Sequence, residues 1–329
     1  MAHRQQAARI RHARLAAVVA ELRDRFGEHI IRTGDPAALP VGVGRAALSS
    51  GSLGLDLLVE GLPRGAMVEY AGVDGSGKET LALTALAHCQ RAGGLALLLD
   101  AEGTTDPDAL TAVGIHLDAL VLACPITAAE AWGALEALAR CGALDLLVTS
   151  LSALFSMPGQ YSGGFPPRAL SRLQLALRGR PTTVLATNIP ISSRVRRQTI
   201  GGQAVAQAAA LRIAFEPGGP IIAPHGDIAG LRTTARVVKY HGLPHGPPVT
   251  LEMTAHGPRR AAELFHLGRL TGCLSEQHWG LVADGQFLGR SPGQAMRRLE
   301  ADPLLAAQLE EEIRAAWTAS PRRVAGSAR

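Results

Sequence analysis

Gly72-Val73-Asp74-Gly75-Ser76-Gly77-Lys78-Glu79-Thr80 is the stretch whose reading decides the fold. An apolar run, Ala66 to Ala71, leads into it, and a helical pattern, Leu81 to Gln90, leads out. Strand, glycine-rich loop and helix form the context that a phosphate-binding loop needs. Gly72, Gly75 and Gly77 let the backbone curl with its N–H groups inward. The helix after the loop adds its N-terminal donors and the positive end of its dipole. Lys78 is placed to reach the outer phosphates as a compact charge. One position departs from the motif. Glu79 stands where a Ser or Thr would put its hydroxyl on Mg²⁺, and Thr80 comes one residue late, about 100° further round the helix. A glycine-rich turn that binds nothing is the alternative reading.

The 329 residues suffice for one large domain and a smaller one. Aromatic residues make up only 4%, so the core has to rest on Leu, Ala, Val and Ile. The net charge of +5 admits nucleic acid as a partner and equally a mildly basic protein without one. Of 33 basic residues only Lys78 and Lys239 are lysine, which raises the weight of both in an arginine-biased chain. Cys89, Cys124, Cys141 and Cys273 are far apart, without a C-x-x-C spacing, and read as reduced thiols of a cytoplasmic protein. The apolar patch Leu15 to Ala20 runs straight into Glu21-Leu22-Arg23-Asp24-Arg25, which argues against a signal peptide. No run has the length of a membrane span, so no membrane partner is expected.

Around the loop, the pattern predicts an α/β fold. Residues 1–26 read as an amphipathic helix and 33–45 as a linker. Leu95 to Glu102, Ala119 to Leu122, Ala143 to Val148 and Thr183 to Thr187 read as buried parallel strands, with helices over 106–113 and 127–140 between them. Leu211–Phe215, Arg232–Tyr240 and Val249–Met253 read as further strands, with 217–230 as a hairpin loop. The region 263–318 reads as a small α/β module: a helix over 264–268, a hairpin over 279–288 and helices near 292–299 and 303–317. Residues 320–329 read as a basic tail. The division is 1–45 helix and linker, 46–262 core, and 263–329 C-terminal domain and tail.

The order of these elements, with Ser50-Gly51-Ser52-Leu53-Gly54-Leu55-Asp56, Gly61-Leu62-Pro63-Arg64-Gly65, the phosphate loop, Leu99-Asp100-Ala101-Glu102, Gly201-Gly202 and Arg236-Val237-Val238-Lys239, resembles the bacterial RecA recombinases over residues 11–318. The resemblance implies a RecA-type ATPase core, a mostly parallel sheet with helices on both faces. An N-terminal helix would dock on the next subunit, and a small α/β domain would close the chain. It implies ATP and Mg²⁺ as cofactors, single-stranded DNA as partner and filament-type self-association. Lys78 matches the family's phosphate lysine, and Glu102 its catalytic glutamate, which activates the attacking water; a solvated acid at a strand end is the alternative. Asp106 matches a nucleotide-contacting acid, and Lys239 a lysine that reaches the neighbouring subunit's phosphates, with a surface lysine as the alternative. Gly72, Val73, Asp74, Gly75, Ser76, Gly77, Lys78, Glu79 and Thr80 make up the expected cofactor-binding loop.

Several positions depart from the family. Glu79 replaces the metal's hydroxyl, and a carboxylate there can either ligate Mg²⁺ or repel a triphosphate. Thr149 stands where an acid should hold the metal's water shell. Ile189 replaces the glutamine that senses the γ-phosphate, Ala109 the aromatic that stacks on adenine, His241 a second trans lysine and Gln207 an interface aromatic.

Two segments align with the family's DNA-binding loops. Residues 157–167 carry Tyr161 and Phe165, which can stack on bases. Residues 192–202 place Arg194, Arg196 and Arg197 before Gly201 and Gly202 at a helix start, a setting that takes phosphates. Arg168 and Arg172, four apart, would extend the track. Arg290, Arg297 and Arg298 in the C-terminal module would meet duplex DNA, an ordinary solvated face being the alternative. The expected function is a RecA-like DNA-binding protein of recombination and repair that binds single-stranded DNA and ATP, with hydrolysis weak or absent. The alternative is a non-hydrolysing accessory of a second, true RecA or of a translesion complex of the ImuA kind.

Overall fold

The computed structural model describes residue 24 and residues 47–157, 167–191, 198–222, 226–240 and 246–319. The expected N-terminal helix and linker, His241, the basic tail, and Tyr161, Phe165, Arg194, Arg196 and Arg197 lie outside the described residues. The chain divides into two compact units, Met1–Arg45 and Ala46–Arg329, and the second holds all the elements named below.

Helix α1 (Leu53–Val59) opens it, its first turn capped by the Ser52 hydroxyl, which accepts from the Leu55 amide at 3.2 Å. Then come β1 (Met67–Gly72), α2 (Lys78–Arg91), β2 (Ala96–Leu99), α3 (Pro107–Ala112), β3 (Val121–Ala123), α4 (Ala128–Cys141) and β4 (Leu146–Ser150). Helices α5 (Leu151–Ser156) and α6 (Pro167–Leu177) precede β5 (Thr183–Asn188) and α7 (Gly202–Ala208). Among the described residues the main sheet has the order β3-β2-β4-β5-β1-β6-β7-β8-β9, with β6 (Ala209–Ile222), β7 (Ile228–Tyr240), β8 (Val249–Thr254) and β9 (Gly257–Pro258). From β3 to β6 the neighbours are parallel, and from β6 to β9 antiparallel.

Successive strand side chains point to opposite faces. Val68, Tyr70, Leu98, Val148 and Leu185 join one buried cluster, with α2, while Met67, Leu97, Leu99, Leu147 and Val184 join another, with α4 and α6. Cover on both faces is what a parallel sheet requires, and it explains why these strands read as unbroken apolar runs. The C-terminal module has its own core: α8 (Arg260–Thr271), the three-stranded sheet β10 (Leu274–Gln277), β11 (Gly280–Ala283) and β12 (Gln286–Gly289), and helices α9 (Pro292–Ala301) and α10 (Pro303–Ala319). Leu53 of α1 belongs to that core, and Ser52 Oγ donates to the buried Glu263 Oε1 at 2.6 Å, so the Ser50–Asp56 motif ties the module to the sheet.

Three readings change. The stretch 217–230 is mostly strand: β6 and β7 stay paired from Pro220 and Leu231 outward, with irregular register at Pro217, Gly218 and Gly219. Helix α8 extends well beyond 264–268 on both sides. Helix α5 has no counterpart among the expected elements; it starts directly after β4, with Ser150 as its cap.

Candidate functional site

The phosphate-loop segment leaves the C-terminal end of β1, which lies between β5 and β6. Because β2, β4 and β5 are parallel to β1, their ends carry Asp100, Ser150 and Asn188 to the same edge. Gly75 has φ 72° and Gly77 φ 81°, conformations that favour glycine. A Cβ on Gly72 would stand 2.5 Å from Ser76 Oγ and 2.8 Å from the Phe215 carbonyl, so the loop closes on the sheet only with glycine there. Ser76 Oγ is buried and has no hydrogen-bond partner among the described residues. Helix α2 starts at Lys78, directly after the loop. These are the features of an anion cradle, and they fit a nucleotide's phosphates.

The Lys78 side chain is only 1% exposed, and its ammonium makes an ion pair with Glu79. It also lies 3.7 Å from Asp74 Oδ1 and 3.4 Å from the Val73 carbonyl. A cavity of about 720 Å³ opens beside the loop, lined among others by Glu79, Glu102, Asp106, Ala109, Thr149 and Ile189. The structure thus brings together most of the nucleotide-site positions read from the sequence.

Each acid on this cavity has a defined setting. Asp100 accepts from the amides of Glu102, Gly103 and Thr105 and from the Thr105 hydroxyl at 2.5 Å. Partial burial raises its pKa, but the hydrogen bonds from Thr105, Gly103 and Glu102 outweigh it and hold the carboxyl below its ordinary range. That turn presents Glu102, whose Oε1 accepts from Ser150 Oγ at 3.2 Å. Ser150 is a site residue that sequence reasoning misses; its only signal is its place one residue after Thr149. Asp106 caps α3, accepting from the Asp108 amide at 3.0 Å.

The residues present do not fit a magnesium site of the family's kind. Thr149, 2% exposed, donates its hydroxyl to the Leu99 carbonyl at 3.1 Å. Glu79 is committed to Lys78, and Asp145 pairs with Arg64 at the opposite end of β4. Among the described residues no group of three or more His, Cys, Asp or Glu side chains is placed to hold a metal ion.

A model of the RecA N-terminal domain matches residues 13–163. Protein RecA of Haemophilus ducreyi is 30% identical over 323 residues, covering 91% of this chain and 85% of the relative. Protein RecA of Pseudarthrobacter chlorophenolicus is 30% identical over 320 residues, covering 91% and 90%. That of Paenarthrobacter aurescens is 30% identical over 324 residues, covering 92% of each. The chain belongs to the RecA family.

Other positions read from the RecA resemblance have these places. Lys239 on β7 donates to the carbonyls of Ala206, at 2.8 Å, and of Gln207 and Ala209, capping the C-terminal end of α7. Burial and Arg212 lower its pKa from the usual lysine value. Gly201, at φ 85°, caps α7, and Gly202 starts it. Pro190 and Thr199 form an antiparallel bridge. Arg168 and Arg172 lie exposed on α6, but Arg172 Nη2 lies 2.5 Å from Glu136 Oε2 of α4. Arg290, Arg297 and Arg298 are exposed, with Arg298 paired to Asp302 at 3.2 Å. Among the described residues no helix is long and apolar enough to cross a membrane.

Proposed function

We propose that this RecA-family chain is a DNA-binding protein of homologous recombination and repair that takes single-stranded DNA and ATP, with hydrolysis weak or absent. The observation that carries the reading is a divided site: a formed phosphate loop with a buried Lys78, beside metal-arm positions whose side chains hold other partners. In this reading the loop amides, Ser76 and Lys78 bind the phosphates, and Asp106 and the Ala109 wall receive the nucleoside. Glu102, steadied by Ser150, is the group able to polarise a water in line with the γ-phosphate. Mg²⁺ has no role in this reading, because Glu79 and Thr149, which stand at the metal-arm positions, are held by Lys78 and the Leu99 carbonyl.

Single-stranded DNA would follow Arg168, Arg172, Gly201 and Gly202 together with Tyr161, Phe165, Arg194, Arg196 and Arg197. The division into 1–45, 46–262 and 263–329 would give a subunit-docking segment, an ATPase core and a C-terminal domain facing duplex DNA through Arg290, Arg297 and Arg298. Self-association into filaments, with Lys239 reaching the neighbour's phosphates, belongs to the same reading. A second reading, a non-hydrolysing accessory of another RecA or of a translesion complex, is favoured by Glu79, Thr149, Ile189 and Ala109 taken together.

The test is ATP turnover with and without single-stranded DNA, beside Lys78→Ala, with DNA binding measured in parallel. DNA binding with turnover no higher than the Lys78→Ala variant supports a binding protein. DNA-stimulated turnover that the Lys78→Ala change removes would instead establish an active recombinase-type ATPase.

A further inference from the structure

Lys78 and Glu79 are neighbours in sequence at the start of α2. Side chains at i and i+1 of a helix point away from each other, yet Glu79 turns back and pairs with the Lys78 ammonium. The two ends of the pair differ in their surroundings: Lys78 is 1% exposed, Glu79 52%. A desolvated cation gains far more from a close carboxylate than a solvated one. Asp74, the other nearby acid, is 93% exposed and further away, where solvent screens it. Glu79 also stands on the wall of two cavities, the one lined by Glu102 and Asp106 and a second of about 460 Å³ lined by Gly75, Gly77 and Met253. A ligand in either cavity therefore has this carboxylate on its wall.

A phosphate group that takes Lys78 has to compete with Glu79 for the same ammonium. The competition grows with the charge the ligand brings to that point, and among the described residues Glu79 forms no ion pair with a second cationic side chain. We propose that Glu79 is a tethered anion on Lys78 that makes the site select nucleotides by terminal charge, taking a nucleoside diphosphate more readily than a triphosphate. The inference rests on the phosphate-loop reading above. It makes Glu79 a specificity-determining residue and not a catalytic one.

The test is calorimetric binding of ADP and ATP in the presence of a chelator, so that only the ligands' own charges differ, to the full chain and four variants. For the wild type ADP binds more tightly than ATP. Glu79→Gln and Glu79→Thr tighten ATP by about tenfold or more and ADP by about threefold or less, closing the gap. Asp118→Asn, which removes an equal charge from an exposed acid ahead of the N-terminal end of β3, moves neither by more than about threefold. Lys78→Ala loses both. Unchanged ATP affinity in both Glu79 variants, with Lys78→Ala still abolishing binding, overturns the charge filter and leaves the phosphate-loop reading standing. An Asp118→Asn effect equal to that of Glu79→Gln also overturns it, since a change of net charge alone would then serve. Absence of binding to either nucleotide in every variant overturns the filter and the phosphate-loop reading together.

Discussion

Arg212 of β6 donates through Nε to Oε2 of Glu69 of β1 inside the sheet, where Glu69 is wholly buried. The other carboxylate oxygen accepts from Thr199 Oγ1 at 2.6 Å and from Asn188 Nδ2 at 2.8 Å. Three strands and Thr199 therefore converge on one carboxylate, shortly before β1 runs into the phosphate loop. Removing one partner of a buried pair leaves an uncompensated charge and costs about 3–5 kcal/mol. Arg212→Met should lower the unfolding free energy in urea by that order, and Thr199→Val by about 1–3 kcal/mol. The double change Glu69→Leu, Arg212→Met should recover only part of the loss: the charged pair leaves the interior, but the Thr199 hydroxyl and an Asn188 N–H lose their acceptor.

If lost metal-arm contacts are what silences hydrolysis, restoring them should restore it. Glu79→Thr with Thr149→Asp returns a hydroxyl to the helix start and an acid to the end of β4. Each such contact is worth a few kcal/mol in the transition state, about tenfold per 1.36 kcal/mol. The double variant should release phosphate from ATP, with Mg²⁺ and single-stranded DNA, at least about tenfold faster than wild type, and more than either single variant. A double variant no faster than wild type assigns the loss to other positions, Ile189 first. Thr149→Val alone should cost about 1–3 kcal/mol of stability, because the Leu99 carbonyl loses its donor.

How much of this is legible in the sequence depends on the range of the interactions. The loop can be read because three glycines at fixed offsets, an apolar run before and a helical period after all lie close together in the chain. The parallel strands can be read because burial on both faces leaves continuous Leu and Val runs. Helix α5 is hidden since its apolar residues, Leu151, Ala153 and Leu154, simply prolong the run of β4. The outer halves of β6 and β7 are hidden because Pro217, Gly218, Gly219 and Pro220 carry loop chemistry, and only cross-strand pairing keeps them extended. The pairings of Glu69 with Arg212, of Ser150 with Glu102 and of Lys239 with the end of α7 join residues 30 to 143 positions apart. Nothing in local composition announces them. Glu79 is visible as a departure, but its grip on Lys78 runs against helical spacing and emerges only in the folded chain.

Acid should weaken the fold through His88. Its Nδ1 lies 3.0 Å from Ser49 Oγ, which itself donates to Asp56 Oδ2 at 2.7 Å, so the ring serves as the donor to Ser49. Burial, then Arg91 and Arg260, lower its pKa to about 4, with Glu310 acting weakly the other way. In the unfolded chain the value is about 6.5. Above about pH 6.5 neither state carries the proton and stability is at its full value. Between there and about pH 4 only the unfolded chain takes it up, so stability falls as pH falls. Burial raises the pKa values of Asp56 and Glu263, which acts in the opposite sense in acid. The readout is therefore the difference between wild type and His88→Gln: urea unfolding across this window should show a flatter pH slope in the variant.

Glu136 should hold back DNA binding on α6. Its two oxygens take Arg140 of α4 and Arg172 of α6, and its side chain is 15% exposed against 68% for Arg172. A phosphate can recruit Arg172 only by drawing it from that carboxylate, whereas Arg168, one turn earlier, is exposed. For single strands each phosphate contact contributes about 0.7 to the slope of log affinity against log salt. Arg168→Ala should lower affinity for single-stranded DNA alike across sequences and reduce that slope by about 0.7. Glu136→Gln should raise affinity about threefold at low salt and steepen the slope by about the same 0.7, as Arg172 becomes free to take a phosphate. Asp118→Asn, which removes an equal charge from an exposed acid away from α6, separates this from a general rise in net charge: it should leave the slope unchanged. Adding Arg172→Ala to Glu136→Gln should return the slope to the wild-type value. If it does not, Arg172 faces no DNA and the track on α6 ends at Arg168.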